Sequence, residues 1–206
     1  MATQVWEARR AGPVPGTAVE PLWPVTVDTY HHMIAAGVLT SDHQVELLEG
    51  AIVAKMPKNV PRSFFTPELA DALATTIPRG WHVRTQEPVT LSASEPEPDI
   101  AVVRGSRRDY LGASRHPGSA DIALIVEVTD TTGHRDRVTK KRIYAAAGIP
   151  AYWILDVAAR TLEVYSDCDP ENENYRTAQI FSANGEAPVE IPGETPRLLP
   201  LGPILK

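Results

Sequence analysis

The sequence predicts a single α/β domain, a mixed β-sheet flanked by helices, and three observations carry that expectation. The run 122–126 is apolar at every position and rich in β-branched residues, the mark of a central strand covered on both faces. A second β-rich run at 99–103 precedes it, and a third at 152–157 follows it. Between the last two lies HRDRVTKKRIYAAAGIP, whose apolar positions recur at helical spacing, so it reads as a crossover helix packed over the sheet between parallel strands.

Taken in order, residues 1–23 hold Pro13, Pro15 and Pro21 with no apolar period, and read as a leader draped on the surface or disordered. The remainder, 24–206, reads as one domain, with a core over about 26–165 and a β-rich extension over 166–206. Thr26 is placed to cap a short helix carrying Val27, Tyr30, Met33 and Ile34, with Gly37 as its stop. QVELLEGAIVAKMP reads as a hairpin turning at Glu49-Gly50. Pro67, after Thr66, is expected to open a helix with Leu69, Ala72 and Leu73 on one face, closing near Gly80. A strand is expected over 81–91, and EPEP then makes a stiff, extended approach to Asp99. Beyond the core, 161–165 alternates as an edge strand, DCDPENENY reads as polar loop, and short strands are expected at 179–181 and 189–191.

With 206 residues and 43% apolar content, the chain can build one substantial core. No apolar run is long enough to cross a bilayer, and the N-terminus lacks the apolar centre of a signal peptide, so a soluble, cytoplasmic protein is expected. Cys168, the single cysteine, has no cysteine partner for a disulfide or metal cluster and agrees with a reducing compartment. Nothing suggests an organic cofactor. The formal charge of −6 weighs against a protein that coats nucleic acid non-specifically. Local charge differs: Arg135, Arg137, Lys140, Lys141 and Arg142 crowd the crossover helix, and Arg104, Arg107, Arg108 and Arg115 crowd the loop after 99–103. Arg104, Arg107, Arg108, Arg135 and Arg137 are therefore the candidate nucleic-acid contacts, the plainer reading being that they are solvated charges.

The candidate chemistry lies between Asp99 and the crossover helix. If 99–103 runs antiparallel beside 122–126, the start of the first strand meets the end of the second, which brings Asp99 next to Glu127. On the helix, Asp136, Lys140, Ile143, Tyr144 and Ala147 share the stripe that holds most bulky apolar groups, so Lys140 is the lysine expected to face the sheet, while Lys141 and Arg142 fall off it. Two carboxylates at a strand end suffice to hold Mg²⁺ against a phosphate, and a lysine beside them can orient a water or stabilise a pentavalent transition state. A blander alternative pairs Lys140 with Asp136 four residues earlier on the helix surface.

These residues also carry a resemblance. Pro98-Asp99, Glu127-Val128-Thr129, DRVTK ending at Lys140, and YAAAGIPAYWILD resemble the PD-(D/E)xK nuclease superfamily, and within it the bacterial Uma-two-like family of restriction endonucleases. The similarity spans roughly 26–165, includes ELLEG at 46–50, and is most specific from Glu127 through Trp153 to Asp156. It implies a restriction-endonuclease-like core in which Asp99 and Glu127 hold a divalent metal, Mg²⁺ with Mn²⁺ able to substitute, and it suggests Glu46 as an auxiliary acid. Two departures stand out. Thr129 occupies the place two residues after the glutamate where the superfamily usually has lysine, which passes that role to Lys140. Arg62, in VPRSFFTPEL, stands about where the family tends to place a histidine. The resulting expectation is a Mg²⁺-dependent DNA endonuclease with Asp99, Glu127, Lys140 and Glu46 as catalytic residues, and, by analogy with the symmetry of duplex DNA, a homodimer. The alternative is a catalytically inactive nuclease-like scaffold that binds nucleic acid or a protein partner.

Overall fold

The computed structural model describes residues 22–55, 59–113, 115–130 and 133–206, so the leader expected over 1–23 lies outside the described residues except for Leu22 and Trp23. Helix α1 (Val27–Ala35) is followed by the hairpin strands β1 (Val45–Leu48) and β2 (Ala51–Ala54), then helix α2 (Val60–Thr76). Strands β3 (Trp81–Thr85) and β4 (Ile100–Arg104) precede the short helix α3 (Arg107–Ala113) and the long strand β5 (Ile122–Thr129). A π-helical turn (Arg135–Lys140) runs directly into α4 (Lys141–Ala146), which leads to β6 (Ala151–Asp156), β7 (Thr161–Asp169) and β8 (Asn174–Ser182). The chain closes with β9 (Glu186–Val189), β10 (Arg197–Pro200) and the single turn α5 (Gly202–Leu205).

Six strands form the central sheet in the order β3-β4-β5-β6-β7-β8. Every neighbouring pair is antiparallel except β5 and β6, the pair joined through the helix, which are parallel. All eight residues of β5 are buried, as a continuous apolar run requires when both faces are covered. Because side chains alternate across a strand, Ile100, Val102, Leu124 and Val126 point to one face, where Leu69 and Leu73 of α2 and the tail residues Val189, Leu199 and Ile204 cover them. Ala101, Val103 and Ile125 point to the other, against Ile143 and Tyr144 of α4. Burying a leucine such as Leu69 or Leu73 contributes about 1.5–3 kcal/mol. Two helices thus sandwich the sheet from opposite sides.

Local chemistry accounts for most of these elements. The side chain of Thr26 accepts from the Thr29 amide at 3.1 Å and caps α1. The β1–β2 turn places Glu49 and Gly50 both at positive φ, the geometry of a tight two-residue hairpin loop. Helix α2 begins at Val60, well before the start expected at Pro67. The side chain of Asn59 caps it by accepting from the Arg62 amide at 3.0 Å, Pro61 fits the first turn, and Pro67 sits inside on the exposed side, where only one helical hydrogen bond is lost. This earlier start puts Arg62 in the first turn.

Three other expectations change. Strand β3 ends at Thr85, short of Leu91, because Gln86 takes a positive φ and turns the chain away. Strand β7 is an interior strand, and DCDPENENY is the end of β7, a tight turn and the start of β8, since a polar run on a half-exposed hairpin still satisfies its backbone across the ladder. The strands expected at 179–181 and 189–191 become the end of β8 and strand β9.

Candidate active site

Asp99 immediately precedes β4. The register Ile100 to Val126 makes Glu127 its neighbour across the ladder, and the alternation of side chains turns both acids toward the α4 face. Both are out of solvent, Asp99 at 1% exposure and Glu127 at 0%. A buried carboxylate needs partners. Asp99 Oδ2 accepts the Val128 amide at 2.8 Å, which locks the end of one strand to the other.

Lys140, 4% exposed, closes the π-helical turn and reaches inward as its stripe position predicts. Its Nζ lies 2.9 Å from Glu127 Oε1 and 3.4 Å from Glu46 Oε2. Glu46, from β1 and also buried, accepts the Glu97 amide at 3.2 Å and has Arg135 at 3.9 Å. The four residues expected to carry the chemistry are therefore neighbours. Burial pulls the Lys140 ammonium down, but Glu127, Glu46 and Asp136 outweigh it and hold it above the ordinary lysine value. Burial acts the other way on Glu127, raising its carboxyl against the pull of Lys140 and Arg62.

Three further residues complete the site. Tyr144, one turn after Lys140, donates its hydroxyl to Glu127 Oε1 at 2.9 Å. Asp136 accepts from the Thr129 hydroxyl, and burial raises its carboxyl above the usual range, with Lys140 and Arg62 opposing. Both share the inward stripe of Lys140, so periodicity already pointed to them. Arg62 had no such signal. Its guanidinium grips Asp99 side-on, Nε to Oδ1 at 2.8 Å and Nη2 to Oδ2 at 2.6 Å, and the same Nη2 lies 3.5 Å from Glu127 Oε2. Burial alone would lower Arg62, yet Asp99 and Glu127 hold it above its ordinary value.

A cavity of about 610 Å³ opens over this cluster, lined among others by Glu46, Asn59, Arg62, Asp99, Asp136 and Lys140. The donor set suits a hard divalent cation: two carboxylates on adjacent strands, with Glu127 Oε2 buried and lacking any hydrogen bond. Among the described residues no three Asp, Glu, His or Cys side chains converge at metal-ligand spacing.

The basic residues divide. Arg135 lines the cavity, with Nη1 on the Ala54 carbonyl at 2.9 Å. Arg104, Arg107 and Arg108 do not lie around the acids. They sit at and beyond the far end of β4, roughly 13 Å or more away at the rise of a strand. There the Arg104 guanidinium covers the Trp81 ring at 4.4 Å, and Arg107 faces a separate open groove with Arg108 and His82. Arg137 is held by Asp156 and Glu163, each at 2.6 Å. Sequence proximity to Asp99 misled because a strand carries its two termini to opposite ends of the sheet.

The fold is a mixed α/β fold, a central six-strand mixed sheet flanked by helices, with two acids side by side at neighbouring strand ends and a lysine on the following crossover helix. The chain belongs to the Uma2 family, described as "Putative restriction endonuclease", whose model matches residues 27–195. Among solved structures it is similar to one titled a "putative nuclease belonging to DUF820" from Anabaena variabilis, at a TM-score of 0.59 and 20% identity, covering 81% of this chain and 90% of that one. That likeness concerns the fold. No curated protein matches. Among the described residues no helix is long and apolar enough to cross a membrane.

Proposed function

We propose that this protein is a divalent-metal-dependent endonuclease that hydrolyses phosphodiester bonds in DNA. One observation carries the reading: Asp99, Glu127, Lys140 and Glu46, from four separate stretches of the chain, meet beneath a cavity of about 610 Å³. Asp99 and Glu127 are the residues that would hold Mg²⁺ or Mn²⁺. A divalent cation bound there supplies Lewis-acid chemistry, acidifying water and offsetting charge that develops on phosphorus. Lys140 orients the attacking water or stabilises the pentavalent transition state, its ammonium kept charged by the acids around it. Glu46, 3.4 Å from the ammonium, helps Glu127 to position Lys140. Arg135, at the cavity wall, would take a phosphate oxygen.

The second reading, a nuclease-like scaffold without catalysis, is favoured by the Arg62 guanidinium lying across both acids. Plasmid cleavage separates the two. Purified protein is expected to nick or cut with Mg²⁺ or Mn²⁺ and to stop with EDTA, and Asp99→Asn and Glu127→Gln are each expected to abolish cutting. Wild-type protein that leaves duplex, single-stranded and branched DNA intact with either metal would move the assignment to the scaffold.

A further inference from the structure

Glu127 contributes no surface to the cavity, whereas Asp99 and Arg62 both line it. The Arg62 guanidinium shields Glu127 Oε2 from that side, and one of its nitrogens is in reach of an oxygen of each acid. We propose that Arg62 is the resident counter-cation of the Asp99–Glu127 pair, that divalent metal must displace it, and that the displaced guanidinium then binds the phosphodiester at the cavity. The inference rests on the metal-dependent reading above and assigns the arginine a part in it.

The distribution of contacts supports the first half. Asp99, Glu127, Glu46 and Asp136 gather at one end of the sheet, and among the described residues Lys140 forms ion pairs with Glu127 and Glu46. Among the described residues, the Asp99 carboxylate takes the Val128 amide and Arg62 as polar partners. While no metal is bound, Arg62 is thus the cation in contact with both acids, one of its nitrogens in reach of an oxygen of each. A divalent ion between them would make the monovalent one redundant.

The second half follows from where Arg62 is anchored. It lies in the first turn of α2, beside exposed Asn59, Val60 and Pro61, while Thr66 is buried one turn later and the apolar anchors Leu69 and Leu73 about two and three turns later. The side chain keeps 19% of its surface exposed. Rotation about its own bonds can therefore swing the guanidinium into the cavity without disturbing the core. Its planar fork suits two phosphate oxygens as well as it suits Asp99. A phosphodiester that draws Arg62 away strengthens metal binding, and metal that expels Arg62 strengthens phosphodiester binding, since coupling between two sites is reciprocal.

The test is Mn²⁺ binding to the full chain, read by electron paramagnetic resonance, with and without dimethyl phosphate as an uncleaved phosphodiester probe. Arg62→Ala and Arg62→Met, the latter keeping an apolar stem, are expected to bind Mn²⁺ on the order of tenfold more tightly than wild type. Dimethyl phosphate should tighten Mn²⁺ binding in wild type and leave both variants unchanged. In wild type itself, Arg62 should be protected from phenylglyoxal without metal and modified once Mn²⁺ is bound, as located by peptide mass spectrometry. Equal Mn²⁺ affinity in wild type and variants, above an Asp99→Asn control, overturns the role of Arg62 and leaves the metal centre standing. Equal tightening by dimethyl phosphate in all three overturns the coupling. Binding no better than the Asp99→Asn control in wild type and both variants overturns the metal-dependent reading, and this inference with it.

Discussion

The ammonium of Lys140 lies 2.9 Å from Glu127 Oε1, a contact between the crossover helix and the central strand with both side chains almost wholly out of solvent. The pair is structural as well as chemically placed. Lys140→Met removes the charge and leaves Glu127 with Tyr144 and Arg62 as its remaining polar partners, so the variant is expected to lose cleavage and about 3 kcal/mol of stability in urea denaturation. Adding Glu127→Gln should recover part of that stability, because the acid closest to the lost ammonium then carries no charge and Glu46 keeps Arg135 at 3.9 Å. Lys141 sits over the Tyr165 ring at 5.1 Å, outside the site. Lys141→Met should cut normally and cost no more than about 1 kcal/mol. Normal cutting by Lys140→Met would remove the lysine from the mechanism.

DNA bound at the cavity should meet Arg135 and miss the far end of β4. Arg135→Ala is expected to weaken binding and to reduce the slope of log K against log salt by about one, whereas Arg107→Ala combined with Arg108→Ala should leave the slope unchanged. A slope that responds to the double variant instead would put the nucleic acid on the groove beside α3.

The hairpin that carries Glu46 depends on Gly50. Its φ is +78°, and a Cβ there would lie 2.9 Å from the Pro24 Cβ and 3.2 Å from its backbone. Gly50→Ala combines left-handed strain of about 1 kcal/mol with that clash and should lower the thermal midpoint by several degrees. A midpoint equal to wild type would mean that the turn re-forms in another geometry.

Asp121 tests a charge far from the site. Arg115, 2.6 Å away, and the Gly118 amide hold its carboxyl below the usual aspartate range against the effect of burial. A lowered folded pKa stabilises above the unfolded value, near 3.9, and that contribution is lost as pH falls through the folded value. Asp121→Asn should therefore be less stable than wild type at pH 7, with the gap closing as the pH drops below about 4. A gap that persists unchanged in acid would assign the difference to lost packing.

Much of the site could be read locally. Continuous apolar content identified β5 as the covered strand, and the two-residue alternation from it determined that Glu127 shares a face with Asp99 once the strands pair antiparallel. Helical periodicity likewise placed Lys140 inward and Lys141 outward, and the contacts of each agree. Periods of two and 3.6 residues are properties of the backbone, so they are written in any stretch long enough to repeat them.

The partners across the fold were decided only when distant elements packed. Arg62 reaches Asp99 because α2 starts at Val60 and lies on the sheet face opposite α4, bringing its first turn over the strand ends. No periodicity within α2 encodes that approach. Arg104, Arg107 and Arg108 follow Asp99 closely in sequence yet finish at the other end of β4, because an extended strand moves the chain farther per residue than any other element. A sequence determines which face a residue presents. Which charges meet across that face is determined by packing, since the energy of a buried ion pair depends on distances that exist only after the core has closed.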